Sequence, residues 1–351
     1  MLTWIVGRGG LLGSAVSRAM GPKFVELPVP WEDHDSAAAV LDSDLERFIG
    51  AARNDDWSVI WAAGSAVVGS TSDKLAAETR IMSHLLTRLR DSRPAGRGAF
   101  FLSSSAGGVY AGSSHPPFSE STTPRPLSPY GEAKLAQEEI LRLTLEGRVP
   151  LVIGRFSNLA GPRQNLGKQQ GLISQLCRAA VTRQSLSVFV PMETLRDYLY
   201  VDDAAAMVRV LVENAVHKQP STPVLRNISS QRPVSVCTVV RTVQQVAHRT
   251  VRIALGRSPS SNYHVRDLRL RTRYPHEFRG VVITPFPVTV KRVYDDVLQR
   301  VCLPGAGSCD ADAHFRRPPR GYRLAGSVET EEPPKAPLPP LPCLPAYTSC
   351  R

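Results

Sequence analysis

Thr3-Trp4-Ile5-Val6-Gly7-Arg8-Gly9-Gly10-Leu11-Leu12-Gly13 decides how the rest of this chain is read. Thr3 to Val6 has the composition of a strand, and Gly10 to Met20 has that of a helix starting inside the glycine loop. In that context Gly7 permits a tight turn and Gly10 lets backbone N–H groups approach a pyrophosphate. Gly13 allows close helix–sheet packing, and the helix N-terminus adds positive partial charge. Leu11 heads the helix. The loop alone is equally a structural glycine turn or a dinucleotide site, and the motifs further along the chain favour a nicotinamide dinucleotide, NAD or NADP.

Outward from the loop, short apolar runs alternate with longer amphipathic stretches, the pattern of βα units on a parallel sheet. Further strands are expected at Lys23 to Leu27, Ser58 to Trp61, Ala99 to Leu102 and Leu151 to Arg155. Helices are expected around Leu75 to Arg90 and from Pro129, the latter with Ala133, Ala136, Ile140 and Leu143 as its apolar stripe. The second half is less regular. Helices at Gly171 to Val181, Ala204 to Val212 and Val234 to Ala247, with short strands at Ser187 to Val190 and Val251 to Ala254, suggest a smaller lobe. From about Leu303 prolines crowd together without apolar periodicity, the composition of a disordered tail. The expected fold is thus α/β: a Rossmann-type doubly wound parallel sheet over residues 1–160, a mainly substrate-binding lobe over 161–302 with returning Rossmann elements, and a tail over 303–351.

At 351 residues, with 42% hydrophobic and 21% charged residues, the composition is that of an ordinary soluble globule. No apolar run approaches a membrane span of roughly 18 to 20 residues, and Met1 leads into a strand without a signal peptide's basic region. The six cysteines show no Cys-x-x-Cys pair, and the histidines no metal spacing, so no disulfide framework and no metal are expected; a reducing cytoplasm fits. The net charge of +12 is concentrated, with twelve Lys/Arg against four Asp/Glu over residues 241–300. No RNA-binding signature or zinc module accompanies it, which favours a small anionic substrate over nucleic acid.

Chemistry enters with Ser128-Pro129-Tyr130-Gly131-Glu132-Ala133-Lys134. Ser128 suits an N-cap and Pro129 a first helical turn. Tyr130 and Lys134 then share one helix face, a turn apart. A phenol with a pKa near 10 is a poor base at neutral pH. The Lys134 ammonium and an oxidised nicotinamide would favour its phenolate, letting Tyr130 take a proton from a substrate hydroxyl. Lys134 would also bond the nicotinamide ribose. A serine at the end of the strand Ala99 to Leu102 would hold the reacting oxygen.

Glycine loop, serine cluster (Ser103, Ser104, Ser105) and Tyr130/Lys134, in this order and at these distances, resemble the extended short-chain dehydrogenase/reductase superfamily. Within it the likeness is to the nucleotide-sugar epimerases and reductases, over roughly residues 1–300. The resemblance implies Ser105 as the catalytic serine, with Ser104 the alternative, because Ser104-Ser105-Ala106-Gly107-Gly108-Val109-Tyr110 is one residue longer than the family's Ser-Ser-x-x-Val-Tyr-Gly. It places Ala63 and Gly64 along the cofactor. Arg155 to Pro162 resembles the family's Arg-x-x-Asn-x-x-Gly-Pro, which makes Asn158 a diphosphate contact. Leu195 to Asp203 resembles the block in which an arginine, here Arg196, grips the diphosphate; Arg266 is a candidate second phosphate ligand and Asp203 a helix cap. Asn165, Gln169 and Gln170 are candidates for the sugar pocket.

The choice of dinucleotide stays open. Glu26 has the spacing of the acid that binds the ribose hydroxyls in NAD sites, whereas Arg8 resembles the basic residue of NADP-using sugar reductases. Dehydratases and decarboxylases of the superfamily carry an acid directly after the catalytic serine, where this chain has Ala106-Gly107-Gly108. The function implied is a nucleotide-sugar epimerase with a nucleotide-diphosphate sugar as partner and a homodimer as the assembly to be tested. The alternatives are an NADP-dependent keto-sugar reductase and, in another class, a non-catalytic nucleotide-binding protein.

Overall fold

The structure is a computed structural model that describes residues 1–302, apart from positions 65, 67, 68, 93, 169, 257–262 and 264. The expected tail and Gln169 lie outside the described residues.

In chain order the first half runs β1 (Leu2–Val6), α1 (Leu11–Ala19), α2 (His34–Ala52), β2 (Trp57–Trp61), α3 (Ser72–Ser92), β3 (Gly98–Ser105), α4 (Ala106–Val109), α5 (Pro129–Leu145), β4 (Leu151–Phe156) and β5 (Asn158–Ala160). The second half continues with α6 (Leu172–Thr182), β6 (Leu186–Val188), β7 (Leu195–Arg196), β8 (Tyr198–Tyr200), α7 (Val201–Val216), β9 (Val224–Ile228), β10 (Val234–Ser235), α8 (Val236–Ala247), β11 (Ile253–Leu255), β12 (Asp267–Leu268) and α9 (Phe286–Cys302).

Five strands form one parallel sheet in the order β1-β2-β3-β4-β9. Leu2 stands opposite Trp57, Trp57 opposite Gly98, and Phe100 opposite Leu151. Side chains alternate across a strand, and both faces are apolar here. Trp4, Val59, Phe100 and Leu102 pack with α2, α3 and α5, while Ile5, Ile60 and Phe101 pack with α1 and α7. Helices on both faces make the sheet doubly wound, as expected. Beyond it, α6, α8 and α9 pack around Leu176, Val239, Val243, Val290 and Val293. Short strands form three small sheets, β10-β7-β12, β11-β6 and β5-β8.

Three expectations need correction. Lys23 to Leu27 is not a strand: it meets β1 in a single parallel bridge at Thr3 and Lys23. Side chains of α2 take the outer backbone groups instead, Leu27 N–H donating to Asp44 at 2.9 Å and Arg47 to the Val25 carbonyl at 3.3 Å. The stripe assigned to α5 is also misplaced. Leu143 is 70% exposed, and the buried face carries Gly131, Lys134, Gln137, Glu138, Leu141 and Leu145. Finally, Asp203 does not cap a helix at Ala204. The helix α7 starts at Val201, and Asp203 accepts hydrogen bonds from the Thr284 N–H and hydroxyl at 2.6 and 2.8 Å, tying α7 to the segment before α9.

Candidate active site

Because β1 to β4 run parallel, the loops that follow them emerge at one edge of the sheet: the glycine loop, Ala62-Ala63-Gly64, the serine cluster and Ser157-Asn158. That edge is where open α/β sheets bind ligands. Two glycines of the first loop are sterically required. Gly7 has φ +92°, and a Cβ there would stand 2.6 Å from Ala63 Cα; one on Gly13 would stand 2.2 Å from the Gly7 carbonyl oxygen. Gly10 differs, since its Cβ would meet nothing closer than 3.4 Å. It is exposed, and α1 begins on it without a side-chain cap or an acidic first turn. A helix N-terminus under an uncrowded glycine, with no side-chain cap or acid of its own, fits a dinucleotide pyrophosphate.

Glu26 completes this end. Its carboxylate accepts from the Arg8 backbone N–H and from Trp4 Nε1, both at 3.3 Å. Burial raises its pKa, and those hydrogen bonds together with the Arg8 charge act the other way. A carboxylate at the glycine loop suits ribose hydroxyls and repels a 2′-phosphate, which weighs against the NADP reading of Arg8. Ala63 is buried against Gly7, and Gly64 is exposed beyond it.

Tyr130 and Lys134 stand in the first turns of α5, which Ser128 caps by accepting from the Gly131 N–H at 3.2 Å. Ser105, the last residue of β3, accepts from the Gly108 N–H at 3.1 Å, and its hydroxyl acts to lower the Tyr130 pKa. A Cβ on Gly108 would come 3.1 Å from the Tyr130 ring, so the glycine lets α4 lie against the tyrosine. Lys134 is buried, its Nζ 2.9 Å from Gln137 Oε1 and 5.8 Å from the centre of the Tyr130 ring. Burial lowers the Lys134 pKa, opposed by Glu78 and Glu138. Burial also raises the Tyr130 pKa; the Ser105 hydroxyl acts against this and Glu78 adds to it. The protein by itself therefore holds the phenol protonated, opposite to what the lysine alone would do.

The structure separates the two candidate serines by strand alternation. Ser104 points to the other side, its hydroxyl on Glu138. Glu138 receives the Arg155 fork at 2.9 and 2.6 Å, and Arg155 also donates to the Tyr110 hydroxyl at 2.8 Å. This buried network lies behind the reacting face and leaves Ser105 as the serine beside Tyr130.

On the substrate side, a small cavity of about 40 Å³ is lined by Ser105, Gly107, Asn158 and Leu268, among others. Asn158 is exposed and donates to the Asp197 carbonyl at 3.0 Å. Arg196 is buried on β7, and its guanidinium donates to the Leu195 carbonyl at 2.8 Å. Burial lowers its pKa, countered by Tyr198 and Asp267. Neither neighbouring carboxylate is its partner: Asp197 accepts from Ser230 and the Arg232 N–H, and Asp202 pairs with Arg18 at 2.6 Å. A buried guanidinium without an ion-pair partner among the described residues suits a ligand anion. Arg266 is different. Its side chain is 78% exposed, 3.9 Å from Glu193, and is not brought to the catalytic set. Asn165 is spent on its own loop, accepting from the Gly167 N–H at 2.7 Å.

The model of the NAD dependent epimerase/dehydratase family matches residues 4–224. The chain belongs to this family. Among curated relatives, it is 32% identical over 131 residues to a dTDP-L-rhamnose 4-epimerase of Burkholderia thailandensis, covering 36% of this chain and 35% of that one. It is 31% identical over 235 residues to a UDP-glucose 4-epimerase of Azospirillum brasilense, covering 62% and 65%. The chain spans about a third of the length of the first of these. Among solved structures, the UDP-glucose 4-epimerase of Thermus thermophilus in complex with NAD superposes with a TM-score of 0.66 at 18% identity, over 88% of this chain and 100% of that one. The epimerase/dehydratase fold is therefore the fold of this chain.

Sequence reasoning missed Glu78, Gln137 and Glu138 at this site. No spacing announces them: Glu78 and Lys134 both flank Gly64 because α3 packs on α5. Gln137 and Glu138 could have been found as positions three and four after Lys134, on its own helix face.

Proposed function

We propose that this member of the epimerase/dehydratase family is a nucleotide-sugar epimerase. The observation that carries the reading is the meeting of Ser105, Tyr130 and Lys134 at the sheet edge beside the glycine loop, with Ala106, Gly107 and Gly108 following the serine. Those three residues offer no acid for water loss or decarboxylation. The relatives support the reading, since two of them are named as 4-epimerases of dTDP- and UDP-sugars.

Gly7, Arg8, Gly10, Leu11 and Gly13 would hold the dinucleotide, with Ala63, Gly64 and Lys134 along it. When bound, the nicotinamide supplies a reversible hydride acceptor for the sugar carbon. The chain's own residues do the rest. Ser105 holds the reacting oxygen, and Tyr130 takes its proton and later gives it back. Lys134 holds the ribose and contributes positive charge beside the phenol. Burial raises the Tyr130 pKa, so the positive charges of Lys134 and of an oxidised nicotinamide, when bound, would favour the phenolate that takes the proton. Arg196 would pair with the diphosphate, and Asn158 would contact it from the other wall. The exposed Arg266 could join only from the rim. Free Cys177, Cys237 and Cys302 fit a reducing cytoplasm, and homodimer assembly belongs to the same proposal.

Purified protein should carry nicotinamide through gel filtration and interconvert two epimers of a nucleoside-diphosphate sugar without net turnover of added cofactor. A site that arrives empty and oxidises free NADPH with a keto-sugar would make it a reductase instead.

A further inference from the structure

Lys134 is buried, yet its nearest hydrogen-bond partner, Gln137 Oε1, is neutral. Its charge must be compensated elsewhere. The helix α3 packs on α5, the helix that carries Lys134. Glu78 Oε2 and Lys134 Nζ lie 3.5 and 3.8 Å from one and the same point, the position a Cβ on Gly64 would occupy. The other carboxylate oxygen, Oε1, accepts from the Ala66 N–H at 2.8 Å, in the loop that carries Ala63 and Gly64. The neighbouring Thr79 receives Gln137 Nε2 at 3.3 Å and donates to the Leu75 carbonyl at 2.9 Å, so α3 also steadies the residue that holds Lys134.

We propose that Glu78 is a positioning residue of the catalytic set: one carboxylate oxygen fixes the loop after β2 through Ala66, and the other serves as counter-charge to Lys134. The assignment rests on the epimerase reading for its consequence in catalysis, but its electrostatic content can be measured without turnover. Among the described residues, Glu78 acts on Tyr130 and Lys134 of α5 and on Lys168 in the segment before α6; Glu138 also acts on Lys134, and Lys74 of α3 on Lys168. Its negative charge favours the Lys134 ammonium and disfavours the Tyr130 phenolate. Neutralising it should therefore lower both values together.

Glu78→Gln separates charge from anchoring, because the amide oxygen still accepts the Ala66 N–H. In the variant both limbs of the pH dependence of kcat should move acidward, by on the order of one unit for a half-buried charge at this range. Glu78→Asp, which keeps the charge, should restore the limbs most of the way. Independently of activity, the ultraviolet difference titration of the Tyr130 phenol, taken against a Tyr130→Phe background, should shift acidward in Glu78→Gln. Unmoved limbs together with an unmoved phenol titration would overturn the proposal, as would equal shifts in the Gln and Asp variants. If no epimerase activity is found and the phenol titration still shifts, Glu78 keeps its assignment and the epimerase reading is what falls. If epimerisation is found and the titration stays put, the reverse holds.

Discussion

In the proposed reaction Tyr130 would act through a single oxygen atom, so its removal is the most direct test of the site. Tyr130→Phe should cut turnover by about 10²-fold or more, the scale of losing a positioned acid/base. Nicotinamide content measured on the denatured protein should stay near wild type. Retention of activity within a few-fold would remove Tyr130 from the mechanism. Arg196 tests the other wall. Arg196→Ala should raise KM for the nucleotide sugar about 10- to 100-fold, which corresponds to roughly 1.5 to 3 kcal/mol for a charge-assisted hydrogen bond. Lys at that position should rescue only part, lacking the planar fork. The rival account, a structural ion pair with Asp197 or Asp202, has no geometry behind it, because both carboxylates are engaged elsewhere. A loss of thermal stability with KM unchanged would nonetheless return Arg196 to a structural role. Both residues were legible as motifs. Their protonation states were not, because burial and Glu78 come from parts of the chain distant in sequence.

At the scale of elements, α5 shows how a functional helix departs from simple periodicity. Its start is written locally, by Ser128 as cap and Pro129 in the first turn. Its buried face is not. Periodicity selects Ala133, Ala136, Ile140 and Leu143, yet the face turned to the protein carries Lys134, Gln137 and Glu138 above Leu141 and Leu145. Such polar burial is tolerated where partners satisfy it, and Arg155 on β4 supplies the chief one. Glu138→Gln leaves the Arg155 guanidinium buried opposite a neutral amide. It should destabilise the protein by about 3 to 5 kcal/mol, the scale of breaking a buried pair from one side, read as a fall in Tm. Replacing Glu138 and Arg155 together by apolar residues of similar size should cost clearly less, and an equal cost would show that packing rather than charge dominates there.

For the whole molecule, the ion pair of Arg226 with Glu277 joins the last strand of the main sheet, β9, to the 3₁₀ turn Pro275–Phe278. Arg226 holds the Glu277 carboxyl below the ordinary glutamate range, against the effect of its burial. A depressed carboxyl stabilises the fold above its unfolded pKa of about 4.3 and loses that contribution as pH falls through the lower folded value. Glu277→Gln should accordingly melt earlier than wild type at pH 7, and the gap should close on acidification to about pH 3. A gap independent of pH would assign the loss to geometry instead of charge.

Strand–glycine–helix order, the alternation of βα units and the helix start at Ser128 are encoded within a few neighbouring residues. Loop sterics, side-chain periodicity and capping act over one or two turns of chain, so the doubly wound sheet and the Tyr130/Lys134 pair could be read directly. Everything that depends on which elements touch had to wait for the tertiary structure. Lys23 to Leu27 lost its strand because α2 took its backbone groups. Ser105 rather than Ser104 faces Tyr130 because of the pleat phase at which β3 meets α5. Glu26 reached the Arg8 N–H, and Glu78 came to flank Gly64 together with Lys134, across contacts between elements that no local pattern records. Burial and long-range charge decide protonation, and both are properties of the packed molecule.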